Sequence, residues 1–173
     1  MDSGPVRRSR DLLITLTFLV GGFTALTPLS TTASYAEFSF DEEALPEAKP
    51  WTSKDFVDDP DNFQFVIIGD RTGGGNAQGT FKLAMDQLNL LQPEFVINVG
   101  DTIEGYSDDK AELNAEWDEV DGMLDTLEMR FFRTPGNHDI ANKTAQEVWR
   151  ERHGATYYSF VYNDALFLVL DSE

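Results

Sequence analysis

Three short motifs of the sequence each place a carboxylate, an amide or an imidazole directly after an apolar stretch. The motifs are Gly69-Asp70-Arg71-Thr72, Gly100-Asp101-Thr102-Ile103-Glu104 and Gly136-Asn137-His138-Asp139. Successive motifs lie roughly 30 to 36 residues apart, a spacing that suits one strand, one helix and their loops. Ligands of open α/β sheets bind where the carboxyl ends of parallel strands converge. The spacing therefore predicts that the three motifs line one crevice, with the layout of a metal site.

The stretches before and between the first two motifs predict the elements that position them. Residues 65–68 and 95–99 are continuous apolar runs rich in β-branched residues, as expected of parallel strands that are buried on both faces. Between these runs, apolar residues recur at helical spacing up to Leu91. Thr80 can cap the start of this helix, and Pro93 lies just beyond its end. These features predict a βαβ unit.

The rest of the domain predicts two further helices, a third strand and a hairpin. The predicted helices are 108–127 and 143–152, and the predicted strands are 130–133, 157–161 and 165–170. Gly154 is suited to cap the end of the last helix. His153 lies in a charged helix end, where a cation complements the helix dipole, so we predict it on the surface.

The residue types of the motifs suit metal-assisted hydrolysis of a phosphate ester. Asp70 and Asp101 would repel each other at adjacent strand ends unless a cation neutralised them. One carboxylate can bridge two metal ions, and two ions about 3.5 to 4 Å apart clamp the attacking and leaving oxygens of an in-line phosphoryl displacement. Asn137 can add an amide oxygen. His138 can donate a proton to the departing alkoxide, and Asp139 can orient its imidazole.

Taken in order, the three motifs resemble those of the calcineurin-like metallophosphoesterases, over about residues 62–173. The resemblance implies an α/β fold, a layered αββα sandwich with the metal site at the carboxyl ends of the strands. It implies that Asp70 binds the first metal ion, Asp101 bridges both and Asn137 binds the second. His138 would be the catalytic acid or contact the phosphate. The implied cofactors are two divalent or trivalent ions of Mn, Fe or Zn, and the implied substrate is a small-molecule, lipid or nucleotide phosphate ester.

Two features depart from the pattern of that family. Its first motif usually reads Asp-x-His, whereas this chain has Thr72 at the third position, so one imidazole ligand is missing. The family also places further histidines, including a Gly-His-x-His turn, after a strand like 165–170, and this sequence ends at Glu173. A metal ion of this kind needs about four to six ligands. We therefore expect the sequence to be the N-terminal part of a longer protein, with the activity residing in the full-length protein rather than in this part.

Other interpretations of the same residues stay open. Asp70 and Asp101 can each be a turn residue after a strand, because Gly-Asp is a common turn pair. Arg71 either contacts the substrate phosphate through its guanidinium or pairs with a neighbouring acid. Glu104 either fixes the orientation of a ligand or is solvated. A non-catalytic, metal-dependent binding or structural module of the same fold is the main alternative to an enzyme, and a hydrolase of another kind of ester is a third.

Composition limits the partners of the protein. The chain has 173 residues, of which 41% are hydrophobic and 12% aromatic, enough for one domain with a core. Its net charge of −18 opposes binding to nucleic-acid polymers and to anionic lipid surfaces. An anionic substrate would have to be attracted locally, by bound metal.

The N-terminal region predicts a targeting segment and a linker. Three arginines precede an apolar run that gives way to small residues up to Ala36, as in a secretory signal peptide at residues 1–36. This predicts export to the periplasm or the cell exterior, with no stable membrane partner apart from the signal segment. Residues 37–61 are rich in acids and contain prolines, which predicts an acidic linker before the domain at 62–173.

Overall fold

The computed structural model describes residues 38–45, 47–57, 62–73 and 79–172. The predicted signal peptide at residues 1–36 lies outside these residues. Within the described part the fold is mixed α/β, with two three-stranded sheets and three helices. The strands are β1 (Phe38–Phe40), β2 (Phe65–Ile68), β3 (Phe95–Asn98), β4 (Arg130–Phe132), β5 (Tyr158–Tyr162) and β6 (Ala165–Val169), and the helices are α1 (Thr80–Leu91), α2 (Lys110–Leu124) and α3 (Lys143–His153). None of the described helices is long and apolar enough to cross a membrane.

A parallel sheet carries the three motifs. Its strand order is β2, β3, β4, with Phe65 paired to Phe95 and Phe95 to Arg130. Helices α1 and α2 connect its successive strands, which confirms the predicted βαβ unit and the predicted helix and strand that follow it. All three strands therefore end at one edge of the sheet, where the motifs begin.

The strand β2 is less covered than the sequence predicted. The central strand β3 is largely buried, but β2 lies at the sheet edge and leaves Phe65 40% and Ile67 61% exposed. An edge strand has one neighbour, and a continuous apolar run does not reveal the position of its strand in the sheet. The prediction of burial on both faces is correct for β3 and wrong for β2.

The fold has three layers, and a hydrophobic core lies between each pair of adjacent layers. The helices pack on one face of the parallel sheet. There Val96 and Phe131 of the sheet share one hydrophobic core with Trp117 of α2 and Trp149 of α3. The antiparallel sheet of β1, β5 and β6 covers the other face. There the rings of Phe132 and Phe160 stack with centroids 4.0 Å apart. The predicted hairpin is β5–β6.

Residues 38–45 and 47–57 belong to the fold, which corrects, for these residues, the prediction of an acidic linker at 37–61. Strand β1 pairs with β5, with Phe38 opposite Tyr162. Trp51 is buried and forms an isolated bridge with Phe132. The acidic composition of this segment is typical of a linker, but its aromatic residues pack between the two sheets. Burial of such rings stabilises the segment against the domain.

The helix termini are held by polar side chains near the motifs. Asp109 caps α2 by accepting hydrogen bonds from two backbone N–H groups. Asn142 caps α3, and its amide nitrogen also donates to the Ser107 carbonyl oxygen at 2.9 Å. Thr80, the expected cap of α1, is instead its first residue. Gly154 follows α3 with a φ of 77°, as its predicted role as a C-terminal cap requires.

His153 is buried, which corrects its predicted surface position. Only 3% of this residue is exposed, and its ring lies between Trp117 and Trp149, with centroids 4.5 Å and 5.0 Å away. Because His153 follows Trp149 by one helical turn, both face the core. Burial, together with the charges of Arg133 and Arg152, holds the pKa of His153 well below its ordinary value.

This lowered pKa predicts a loss of stability in mild acid. The unfolded chain binds a proton at His153 more readily than the native state does, so its contribution to stability is complete above a pH of about 6.5 and falls below it. The slope from this one group is at most about 1.4 kcal/mol per pH unit. We expect the free energy of unfolding to decrease more for the wild type than for His153→Gln between pH 7 and pH 5, measured by urea denaturation. An identical decrease in both proteins would show that His153 is not buried as a neutral group.

Candidate metal centre

The three strand-end loops meet at Asp101. Its backbone carbonyl oxygen accepts hydrogen bonds from the N–H groups of Arg71 at 3.0 Å and Thr72 at 3.3 Å. Its side-chain Oδ1 accepts a hydrogen bond from the backbone N–H of His138 at 3.0 Å. Asp101 therefore joins the loop after β3 to the loops after β2 and β4, so the three motifs converge as their spacing predicted.

Two glycines make this convergence possible. Gly100 has a φ of 96°, and a Cβ atom there would lie 2.5 Å from the backbone nitrogen of Gly136. A Cβ atom on Gly136 would in turn overlap Asp101. Asp101 itself has a φ of 52°, in the left-handed region that costs most residues about 1 kcal/mol and that Asp tolerates better than most. Backbone strain of this kind concentrates at functional sites.

The buried side chain of Asp139 connects the loop after β3 to the loop after β4. Its Oδ1 accepts hydrogen bonds from the backbone N–H groups of Thr102 and Ile103 at 2.8 and 3.1 Å, and its Oδ2 accepts one from Gly136 at 2.9 Å. Burial raises the pKa of the Asp139 carboxyl to about 6, because desolvation outweighs these three hydrogen bonds and the nearby charge of Asp101 adds to it. The carboxylate is fully buried. Asp139 is therefore a positioning residue, which corrects its predicted role in orienting the imidazole.

The imidazole of His138 is oriented by Glu104 and Tyr106 instead. Its Nδ1 lies 2.6 Å from the backbone carbonyl oxygen of Glu104. A carbonyl oxygen only accepts, so Nδ1 carries the proton and Nε2 is the atom available for proton transfer. The Tyr106 ring contacts the imidazole edge to face, with centroids 4.5 Å apart. Glu104 therefore orients His138 through its backbone carbonyl oxygen, a contact that cannot be predicted from the type of its side chain.

Tyr106 also contacts the amide of Asn137. The Asn137 Nδ2 donates to the Tyr106 hydroxyl oxygen at 2.6 Å, which directs the amide nitrogen away from a cation and leaves Oδ1 as the donor atom. Tyr106 lies just outside the three motifs. Its position in the loop of the second motif, two residues after Glu104, was the one available signal, because its φ of 58° and its contacts become visible only in the fold.

The first motif divides between the surface and the interior. Asp70 is exposed and lines a small cleft of about 170 Å³ with Thr80 and Phe81 at the start of α1. Arg71, only 4% exposed, points inward. Its Nη2 lies 2.6 Å from a Glu119 carboxylate oxygen, and its Nη1 donates to the Thr102 carbonyl oxygen at 3.1 Å. The prediction that Arg71 contacts the substrate phosphate is therefore corrected. Its guanidinium pairs with a neighbouring acid, which was the alternative interpretation.

The donor atoms at this edge are hard oxygens. They are the carboxylates of Asp70 and Asp101 and the amide oxygen of Asn137, a set that suits a hard divalent cation with further ligands from water. Within the described residues, no group of three or more His, Cys, Asp or Glu side chains lies close enough to hold a metal ion. The three oxygens fit one cation in type, and two ions require more donors than these.

No family model matches this chain, and no curated protein or solved structure matches it significantly. The resemblance to the metallophosphoesterases therefore rests on the three motifs. The fold adds that these motifs converge at the carboxyl ends of parallel strands, where Asp101 connects them.

Proposed function

We propose that this chain carries the metal-binding loops of a metal-dependent phosphate-ester hydrolase. In this proposal the two sheets and the helices belong to a sandwich of the metallophosphoesterase type. The observation that carries the proposal is the convergence of three loops on Asp101, with the oxygens of Asp70 and Asn137 on the same sheet edge and His138 beside them. The proposed reaction is hydrolysis of a phosphomonoester or a phosphodiester at a two-metal centre, to which residues besides Asp70, Asp101 and Asn137 would contribute further donors.

Each residue has a distinct task in this reaction. Asp70, Asp101 and Asn137 would hold Mn, Fe or Zn ions. When bound, these ions would supply Lewis-acid charge that stabilises the phosphoryl transition state. His138 donates the Nε2 proton of its imidazolium form to the leaving oxygen, while the Glu104 carbonyl keeps Nδ1 in place. Asp139 keeps the loops of the second and third motifs in register.

The partner that we propose is a small-molecule, lipid or nucleotide phosphate ester. A net charge of −18 repels polyanions, so a nucleic-acid polymer is a poor substrate, whereas the bound cations attract a single phosphate locally. We also propose that the protein is exported to the periplasm or the cell exterior, from the residues that precede Ala36.

A non-catalytic, metal-dependent binding module is the second candidate. One observation favours it: Thr72 stands where the family has a histidine, so one imidazole ligand of the enzymes is missing. Such a module would bind metal and leave phosphate esters intact.

Hydrolysis assays separate these two candidates. The full-length gene product is stripped of metal with EDTA, supplied with Mn²⁺, Fe²⁺ or Zn²⁺, and assayed on p-nitrophenyl phosphate and bis(p-nitrophenyl) phosphate. We expect one metal to restore hydrolysis, and the faster ester identifies the enzyme as a monoesterase or a diesterase. Metal uptake without hydrolysis of either ester favours the binding module. Neither metal uptake nor hydrolysis contradicts both candidates.

A further inference from the structure

A second cleft lies away from the metal loops. It has a volume of about 570 Å³ and is formed by the end of α2, the end of α3 and residues 49–54. None of the described residues that line it belongs to the three motifs. A volume of this size suits a small molecule rather than a polymer.

The charge of this cleft is opposite to that of the chain. Among the described residues that line it are four cationic side chains, Lys49, Lys54, Arg133 and Arg152. Two carboxylates, Asp121 and Asp125, also line it, so these six side chains sum to +2, and Asp118, which pairs with Arg152, reduces this to +1. The whole chain has only 13 lysines and arginines against 31 acidic residues. A local concentration of cations in so acidic a protein creates a potential that attracts anions.

Arg133 is the buried anchor of this cleft. It is only 6% exposed, and its Nη2 lies 2.7 Å from an Asp121 carboxylate oxygen. Its Nε has no hydrogen-bond partner among the described residues. A buried guanidinium carries five donors, and leaving a charged donor unpaired is costly, so such a group is poised to bind an acceptor. The Nε2 atom of His153, at the same cleft, likewise has no partner in the described part of the chain.

Arg152, the other arginine of the cleft, is paired more fully than Arg133, whose one ion pair is with Asp121. Arg152 donates to Asn114 at 2.9 Å and to the carboxylates of Asp118 and Asp121 at 2.7 and 2.8 Å. Lys54 donates to the backbone carbonyl oxygen of Asp125 at 3.0 Å, and no carboxylate among the described residues forms an ion pair with it. The capacity to bind an anion therefore rests mainly on Arg133 and the lysines.

We propose that this cleft binds a small phosphate-type dianion, either free phosphate or a phosphomonoester group, with Arg133 as its anchor and Lys49 and Lys54 as supporting cations. A guanidinium matches the oxygens of a tetrahedral phosphate in a bidentate way, and ammonium groups add charge without fixed geometry. The site is independent of the metal loops, so it is tested without metal and does not depend on the proposed hydrolase activity.

The test is a titration of the metal-free 173-residue chain with inorganic phosphate, monitored by isothermal calorimetry. EDTA in the buffer removes binding of phosphate through metal ions. We expect saturable binding of one phosphate per chain that weakens as salt is added. Glycerol 3-phosphate in a parallel titration distinguishes a phosphomonoester from free phosphate, and preference for either one supports the site.

Variants assign the binding to the cleft. Arg133→Lys keeps the charge and loses the planar donor set, and we expect phosphate affinity to fall about tenfold or more. The double variant Lys49→Gln/Lys54→Gln leaves the buried Arg133 untouched and is expected to weaken binding severalfold, so the test does not depend on folding of the Arg133 variant. Lys82→Gln, an exposed lysine of α1 paired with Asp86, is the matched control and is expected to bind like the wild type. Absence of saturable binding, or unchanged affinity in both cleft variants, overturns the proposal.

Discussion

Replacement of Asp101 by asparagine is expected to lower the Mn²⁺ affinity of the chain by about a hundredfold or more. Asp101 is the residue whose backbone and side-chain hydrogen bonds join the three loops, and the charge of its carboxylate would offset the desolvation of a bound cation. The amide introduced by Asp101→Asn still offers an oxygen to the backbone N–H of His138, so the loops stay joined while the charge is lost. Electron paramagnetic resonance of free Mn²⁺ during a titration measures the change.

The matched control for this change is Asp108→Asn. Asp108 is exposed and lies in the same connection before α2, so the substitution removes the same charge a few residues away. We expect its Mn²⁺ affinity to stay within about twofold of the wild type, since exposed charges are strongly screened. Equal losses in the two variants would mean that Mn²⁺ responds to the general acidity of the protein rather than to a site at Asp101.

Replacement of His138 by alanine is expected to lower kcat for phosphate-ester hydrolysis by about 10²- to 10⁴-fold in the full-length gene product. The reason is the loss of the proton donor to the leaving oxygen. The imidazole is not among the proposed metal donors, so Mn²⁺ affinity is expected to change little. This separation of kcat from metal affinity distinguishes a proton donor from a metal ligand.

Lys143→Ala is the control for the histidine variant. Lys143 is exposed and begins α3 five residues after His138, outside the proposed donor set. It is expected to keep the kcat of the wild type. Full activity of His138→Ala would show that His138 is not the proton donor of the reaction.

The positions of the motifs could be predicted because their signals are local. Apolar runs mark the strands, and the helical spacing between them fixes a parallel arrangement in which strand ends share one edge. The close approach of the backbone at Gly100 and Gly136, which leaves no room for a Cβ atom, is visible only in the fold. The motif sequences therefore predicted that the three strand-end loops meet, but not how closely.

The side-chain partners could not be predicted because they come from distant parts of the chain. Arg71 pairs with Glu119, 48 residues away, and only the packing of α2 against the first loop brings them together. His153 meets Trp117 across two helices. Strand β1 joins β5 from the other end of the domain, so a segment with the composition of a linker becomes part of a sheet. The charge composition of a segment is an average over all its residues, whereas the burial of this segment depends on a few aromatic residues.

The most direct test of the proposed chemistry is the rate of bis(p-nitrophenyl) phosphate hydrolysis by the full-length gene product as Mn²⁺ is returned to the EDTA-treated protein. A metal-dependent phosphoesterase predicts no hydrolysis without metal and a rate that rises to saturation with Mn²⁺, and Asp101→Asn is expected to abolish that rise. A rate that does not respond to Mn²⁺, Fe²⁺ or Zn²⁺, or metal binding that produces no hydrolysis of this ester or of p-nitrophenyl phosphate, would contradict the proposal.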